Sequence, residues 1–168
     1  FDLPEAQRDR FLFKLSVGLV DFDEELDLLE RFDTEPNLGP KNIDPVFSRE
    51  YILSTFDQSA KVYIDEDVKR YIISISEATR KHPDVAYGAS TRASIMLMKA
   101  AKARAAINGR SYVIPDDVKY LAAPLLRHRL ILSTEAELSD LQVEDVLPDI
   151  LNSVTPPGTE YQREEQSL

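Results

Sequence analysis

The 168-residue sequence contains no cysteine, no tryptophan and only two histidines, His82 and His128. Without thiols there is no disulfide framework, no thiolate nucleophile and no cysteine-based zinc site. Two histidines so far apart in the chain give no basis for a His-rich metal centre, and no metal site is expected. Glycine is also scarce: there are five, Gly18, Gly39, Gly88, Gly109 and Gly158, and none is followed by lysine. The chain therefore carries no GxxxxGK[ST] loop to cradle phosphates. It has no G-x-S-x-G nucleophile elbow either. No apolar run approaches the roughly 20 residues that span a bilayer, and no basic-then-apolar leader opens the chain. The expectation is a cytoplasmic protein with no membrane insertion. The first residue is Phe1, and Phe1–Glu5 has no helix cap or lead-in, so the sequence reads as a piece of a longer protein.

What is present suits a soluble globule: 43% hydrophobic and 30% charged residues, enough for one cored domain or one domain plus a stub. The net charge of −10 is unevenly distributed. Asp21–Glu35 holds eight acids and one base, whereas Arg80–Arg129 holds ten bases and three acids. An acidic whole opposes non-specific nucleic-acid binding. A basic middle suits a local anion or an acidic partner surface, although for a charge run alone a solvated helix face is the simpler reading.

Leu3–Arg10 reads as one helical turn, with Pro4 tolerated in the first turn and Glu5 favouring the helix N-terminus. Phe11–Val17 alternates up to Gly18 and reads as a strand, which needs partner strands from elsewhere. Asp21–Phe32 is an amphipathic helix with Phe22, Leu26 and Leu29 on one face. Residues 36–45, with Pro36, Pro40, Pro45 and Gly39, form a loop and the natural domain boundary. Ser48 caps a helix to about Ser59, and Val62–Ile64 is extended. Asp65 opens a helix through Arg80 whose Val68, Tyr71, Ile72 and Ile75 face a core. Lys81–Ser90 is a loop. An alanine-rich helix follows from Thr91 to about Asn108 and stops at Gly109. Tyr112–Ile114 is extended, Pro115 opens a helix to about Leu126, and Val143–Ser153 is a last helix. Thr155–Leu168 is a polar tail. Ile64-Asp65-Glu66-Asp67-Val68-Lys69 echoes Ile114-Pro115-Asp116-Asp117-Val118-Lys119, two entries into a helix built the same way.

Few residues offer chemistry. Val62–Glu66 imitates the apolar run followed by Asp-Glu that holds magnesium in ATPases, but Asp65 is better explained as a helix cap. His82 stands beside Pro83, and His128 lies between Arg127 and Arg129, whose charges would depress its pKa. Neither is a convincing base. Arg10 ends the turn before the expected strand; there its fork of donors could reach across a subunit boundary and neutralise a transferring phosphoryl group. A salt bridge to Glu5 or Asp9 is the simpler alternative. Arg92 opens the alanine-rich helix, where the dipole disfavours a cation unless an anion is bound there. The alternative is an arginine tolerated by solvent.

Five segments in order resemble one family: Leu3-Pro4-Glu5-Ala6-Gln7-x-Asp9-Arg10-Phe11, Gly88-Ala89-Ser90-x-Arg92-Ala93, Ala101-Lys102-Ala103, Gly109-Arg110-x-Tyr112-Val113-x-Pro115-Asp116-Asp117-Val118 and Leu126-Arg127-His128-Arg129-Leu130. They resemble the C-terminal part of MoxR-type AAA+ ATPases, over about Leu3–Ser133. The fold so implied is mainly α: a helical-bundle lid domain preceded by a short helix-strand stub of the α/β ATPase core. The implied boundaries are 1–20 for the stub, 21–45 for the acidic helix and linker, 46–154 for the lid and 155–168 for a flexible tail. The resemblance implies that Arg10 is an arginine finger acting on a neighbouring subunit's ATP, and that Arg92 is the sensor 2 arginine. It implies ATP and magnesium in the parent protein, none held by this fragment alone, and a homo-oligomeric, hexameric ring. It also implies chaperone-like remodelling, with a von Willebrand factor A domain protein as the partner type. Arg8, where the family usually has Leu, places a second cation beside the finger, and Thr91 replaces the usual Pro. The competing expectations are a non-catalytic helical interaction module and the equivalent region of a magnesium-chelatase-type motor.

Overall fold

A computed structural model of the chain describes residues 4–35, 39 and 43–158. The chain divides into two compact units, one formed by Leu15–Thr55 and the other by the residues up to Lys14 together with those from Phe56 onward.

The short α1 (Glu5–Arg8) belongs to the larger unit, and in the smaller unit the acidic segment forms α2 (Phe22–Thr34). Asp21 starts α2 with a capping box: the Glu24 N–H donates to Asp21 Oδ1 at 2.9 Å, and the Asp21 N–H donates to Glu24 Oε2 at 3.2 Å. None of its residues is buried, so Phe22, Leu26 and Leu29 stand exposed on the face the spacing defines. Ser48 caps α3 (Arg49–Lys61) as expected, accepting the Tyr51 N–H at 3.1 Å. Most of the expected loop at 36–45, and residues 159–168 of the expected tail, lie outside the described residues.

The larger unit is a helical bundle. α4 (Glu66–Lys81) buries Val68, Tyr71, Ile72 and Ile75, the four positions its spacing selects. α5 (Thr91–Ile107) buries Ala93, Leu97, Ala100, Ala101 and Ala105. These small side chains let α4 and α6 (Pro115–Leu126) approach closely on either side. α8 (Val143–Ser153) closes the core with Val146, Leu147, Ile150 and Leu151. Asp65 caps α4, accepting the Asp67 N–H at 2.9 Å and the Tyr63 hydroxyl at 3.1 Å, so its carboxylate is used in holding a helix. The two echoed helix entries lie side by side: Tyr63 and Tyr112 form a parallel bridge, with Tyr63 N–H to Ser111 O at 2.8 Å and Val113 N–H to Tyr63 O at 3.0 Å.

Phe11–Val17, whose partner strands are expected outside this chain, is not tested as a strand by it, whereas the loop after α4 differs from the expectation. Phe11–Val17 pairs with no strand among the described residues; its Lys14 N–H goes to the Pro124 carbonyl at 3.0 Å, and Phe13 rests against the core. A strand is defined by its ladder, and this run has none here. Conversely, the loop expected at Lys81–Ser90 contains β1 (Val85–Tyr87), antiparallel to β2 (Ile131–Leu132), and a short helix α7 (Thr134–Leu138) follows. Elements this brief carry no readable period.

Candidate phosphate-facing arginine site

The site is built where three parts of the larger unit meet: the turn after α1, the start of α5 and the end of α6. The turn is local. Gln7 and Arg8 donate their N–H groups to Pro4 O at 2.8 and 3.0 Å, and Arg10 N–H reaches Gln7 O at 3.2 Å. Arg10 is exposed and has no carboxylate within ion-pair distance among the described residues. The alternative of a bridge to Asp9 is not realised, because that carboxylate is directed to other partners.

The start of α5 is fixed by its preceding loop. Arg80 Nε–H donates to Ala89 O at 2.8 Å, and Ala89 N–H donates to the Thr79 hydroxyl at 2.9 Å. Ala89 is buried, and a Cβ on Gly88 would lie 2.7 Å from the Arg80 Cα, so only glycine permits this approach to α4. Ser90 caps α5 through the Ala93 N–H at 3.4 Å, which compensates for the missing proline at Thr91. Arg92, two residues into the helix, keeps a side chain 56% exposed, and its Nε lies 3.7 Å from Asp9 Oδ2.

The end of α6 supplies Arg129, whose side chain is only 2% exposed. Its Nε–H donates to Asp9 Oδ1 at 3.0 Å, and its Nη groups reach the carbonyls of Asp9 and Leu12 at 3.2 Å as well as those of Phe11 and Leu125. Together with the Lys14 N–H on Pro124 O, this satisfies carbonyls that the end of a helix leaves free. Burial lowers the Arg129 pKa, and the Asp9 carboxylate opposes that, so the guanidinium stays paired and charged. The neighbouring His128 donates Nε2–H to Phe11 O at 3.0 Å. Its pKa is lowered, first by burial and also by Arg129, which agrees in direction with the sequence argument but places burial ahead of charge. A cleft of about 330 Å³ lined by Arg8, Asp9, Ser90, His128 and Arg129, among others, opens at this junction.

Of the two arginines singled out in the sequence, Arg92 lies within ion-pair reach of Asp9, and Arg10 follows Asp9 in the same turn of the same unit. In the sequence Arg129 is one residue of a motif and Asp9 a possible partner for Arg10, and neither carries a role of its own. Their signal is present, an arginine at a helix end and a carboxylate in a turn, but only tertiary burial makes it legible. A second buried ion pair lies apart from this junction: Asp117, 2% exposed at the side chain, takes two hydrogen bonds from Arg110 at 2.7 and 2.6 Å, with Arg104 Nε at 3.3 Å and the Ile114 N–H at 3.1 Å.

Among the described residues no group of three or more His, Asp or Glu could hold a metal ion, and no helix is long and apolar enough to cross a membrane.

This arrangement of helices is that of an AAA lid domain, whose family description matches residues 77–150. The chain is 43% identical over 157 residues to the uncharacterized protein YeaC of Bacillus subtilis, covering 94% of this chain and 48% of that protein. It is 34% identical over 166 residues to the chaperone MoxR1 of Mycobacterium tuberculosis, covering 94% of this chain and 43% of that one. A crystal structure from Cytophaga hutchinsonii, provisionally described as an ATPase, superimposes with a TM-score of 0.81 at 34% identity, over 93% of this chain and 49% of that one. The chain spans about half the length of the relatives it matches. It belongs to the MoxR family of AAA+ ATPases, as a C-terminal region made of the helical lid and a short preceding stub.

Proposed function

We infer that this region supplies the cationic contacts to ATP in a ring-forming ATPase whose phosphate loop and magnesium ligands lie on residues outside this chain. Arg10 acts as the finger on ATP bound by the neighbouring subunit, and Arg92 as the sensor of the terminal phosphate. Bound magnesium would neutralise charge on the β- and γ-phosphates; these residues add guanidinium charge from the other side and position it. The observation that carries the reading is that Arg92 reaches the carboxylate next to Arg10 at 3.7 Å. Because Asp9 joins the turn of Arg10 to Arg92, movement of this body moves both arginines together. The relatives' chaperone naming supports remodelling of partner proteins as the output, with a von Willebrand factor A domain protein as the partner type to test first.

An arginine aimed at developing phosphoryl charge contributes about 10³-fold or more to the rate. In the full-length ATPase, Arg10→Ala should therefore reduce turnover by about 10³-fold while sparing nucleotide binding. Mixing Arg10→Ala subunits with subunits defective in their own ATP site should restore turnover if the finger works across the boundary. Unchanged turnover in Arg10→Ala removes Arg10 from the mechanism.

A further inference from the structure

The ion pairs around the α1 turn show a division of labour within one carboxylate. Asp9 Oδ1 is held at 3.0 Å by a guanidinium that is almost wholly buried, and the Asp9 carbonyl is held by the same group at 3.2 Å. This end of the residue is fixed, because a buried charge has no solvent to turn to. Asp9 Oδ2 faces the other way, toward the Ser90 hydroxyl at 3.5 Å and Arg92 Nε at 3.7 Å. That second contact is long and half exposed, the kind of ion pair that contributes little and exchanges readily. We propose that Asp9 is a positioning residue for the phosphate-reading arginines: Arg129 pins its Oδ1, which sets the turn carrying Arg10, while its Oδ2 gives Arg92 a resting partner that polyphosphate displaces.

The proposal rests on the reading of Arg10 and Arg92 as phosphate contacts, and deepens it. A polyphosphate carries several charges and accepts paired hydrogen bonds from a guanidinium, so it outcompetes one loosely held carboxylate oxygen. Arg92 is thereby kept within reach of the site without being locked, and a bound polyphosphate shifts the exchanging pair from Asp9 to the anion. Removing the charge while keeping an acceptor for Arg129 should then strengthen nucleotide binding, and should do so through Arg92.

The test uses the assembled full-length protein and the dissociation constant of a fluorescent ATP analogue. Asp9→Asn, which keeps an Oδ1 acceptor for Arg129, should tighten binding about threefold, the scale of one exposed ion pair. Asp9→Glu, which keeps the charge, should bind as the wild type does. In an Arg92→Ala background the Asp9→Asn effect should vanish. An equal effect in both backgrounds shows a general charge effect and overturns the proposal, as does no effect in either. If Asp9→Asn fails to fold, crystal structures of the wild-type protein with and without a non-hydrolysable nucleotide decide the question: Arg92 should leave Asp9 for the phosphate while the Asp9–Arg129 pair persists, and an Arg92–Asp9 pair retained beside bound nucleotide overturns the proposal. The underlying reading fails separately, and both fall, if Arg10→Ala and Arg92→Ala leave turnover intact.

Discussion

Arg129 and Asp9 stand 120 residues apart in sequence and share an Nε–H···Oδ1 hydrogen bond of 3.0 Å, with the arginine side chain 2% exposed. This contact ties residues 9–12 to the end of α6. Removing the arginine frees the carbonyls of Asp9, Phe11, Leu12 and Leu125 at once. Arg129→Met should therefore destabilise the larger unit by about 3 kcal/mol, because it strips a partly buried carboxylate and several carbonyls of their donor. Urea unfolding measures this. A midpoint equal to that of the wild type would show that the buried guanidinium adds nothing net.

The second buried pair has a signature in pH. Burial alone would raise the Asp117 pKa, but the hydrogen bonds from Arg110 and the Ile114 N–H, with the charges of Arg110 and Arg104, outweigh it and bring the pKa below its ordinary value of 3.8. A carboxylate with a depressed folded pKa contributes stability that is complete above its unfolded pKa. That stability is lost as pH falls through the folded one. The wild type should thus hold its stability down to about pH 4 and lose it progressively below. Asp117→Asn should start about 3 kcal/mol less stable at neutral pH and show a flatter loss below pH 4. Urea midpoints at pH 7 and pH 3 test both statements; parallel curves for the two proteins would remove Asp117 from the acid response.

How far such features could be read in advance depends on whether their signal is local. α4 was legible because Val68, Tyr71, Ile72 and Ile75 recur at helical spacing behind the Asp65 cap, and each is buried. Gly109 was legible as a stop and takes a φ of +70°. The pairing of β1 with β2 was not, since two or three residues set no period and their partnership spans more than forty positions. Phe11–Val17 is a different case: alternation reports a capacity to pair, its partner strands are expected outside this chain, and the described residues offer it no ladder. At the candidate site the exposed cations Arg10 and Arg92 were found by motif. Arg129 was concealed in a basic run, because a buried arginine and a solvated one have the same letter until the fold separates them.

Gly88 and Gly109 separate two reasons for glycine, and substitution distinguishes them. At Gly109 the backbone is left-handed and an added Cβ meets nothing within 4 Å, so the cost is conformational alone. Gly109→Ala should cost about 1 kcal/mol, and Gly109→Asn less, since asparagine tolerates that region. At Gly88 an added Cβ would lie 2.7 Å from both the Cα and the N of Arg80, atoms of a helix backbone that cannot rotate away. Gly88→Ala should cost about 1–3 kcal/mol by overpacking, and asparagine should be worse than alanine there. The strain falls on the loop that presents Ser90 and Arg92, through the Arg80–Ala89 and Ala89–Thr79 hydrogen bonds. In the full-length ATPase Gly88→Ala should accordingly weaken nucleotide response as well as stability, whereas Gly109→Ala, at the far end of α5, should lower stability alone. Thermal melts beside ATP turnover for the two variants test this. Equal losses of turnover at matched stability would show that the Gly88 approach does not position Arg92.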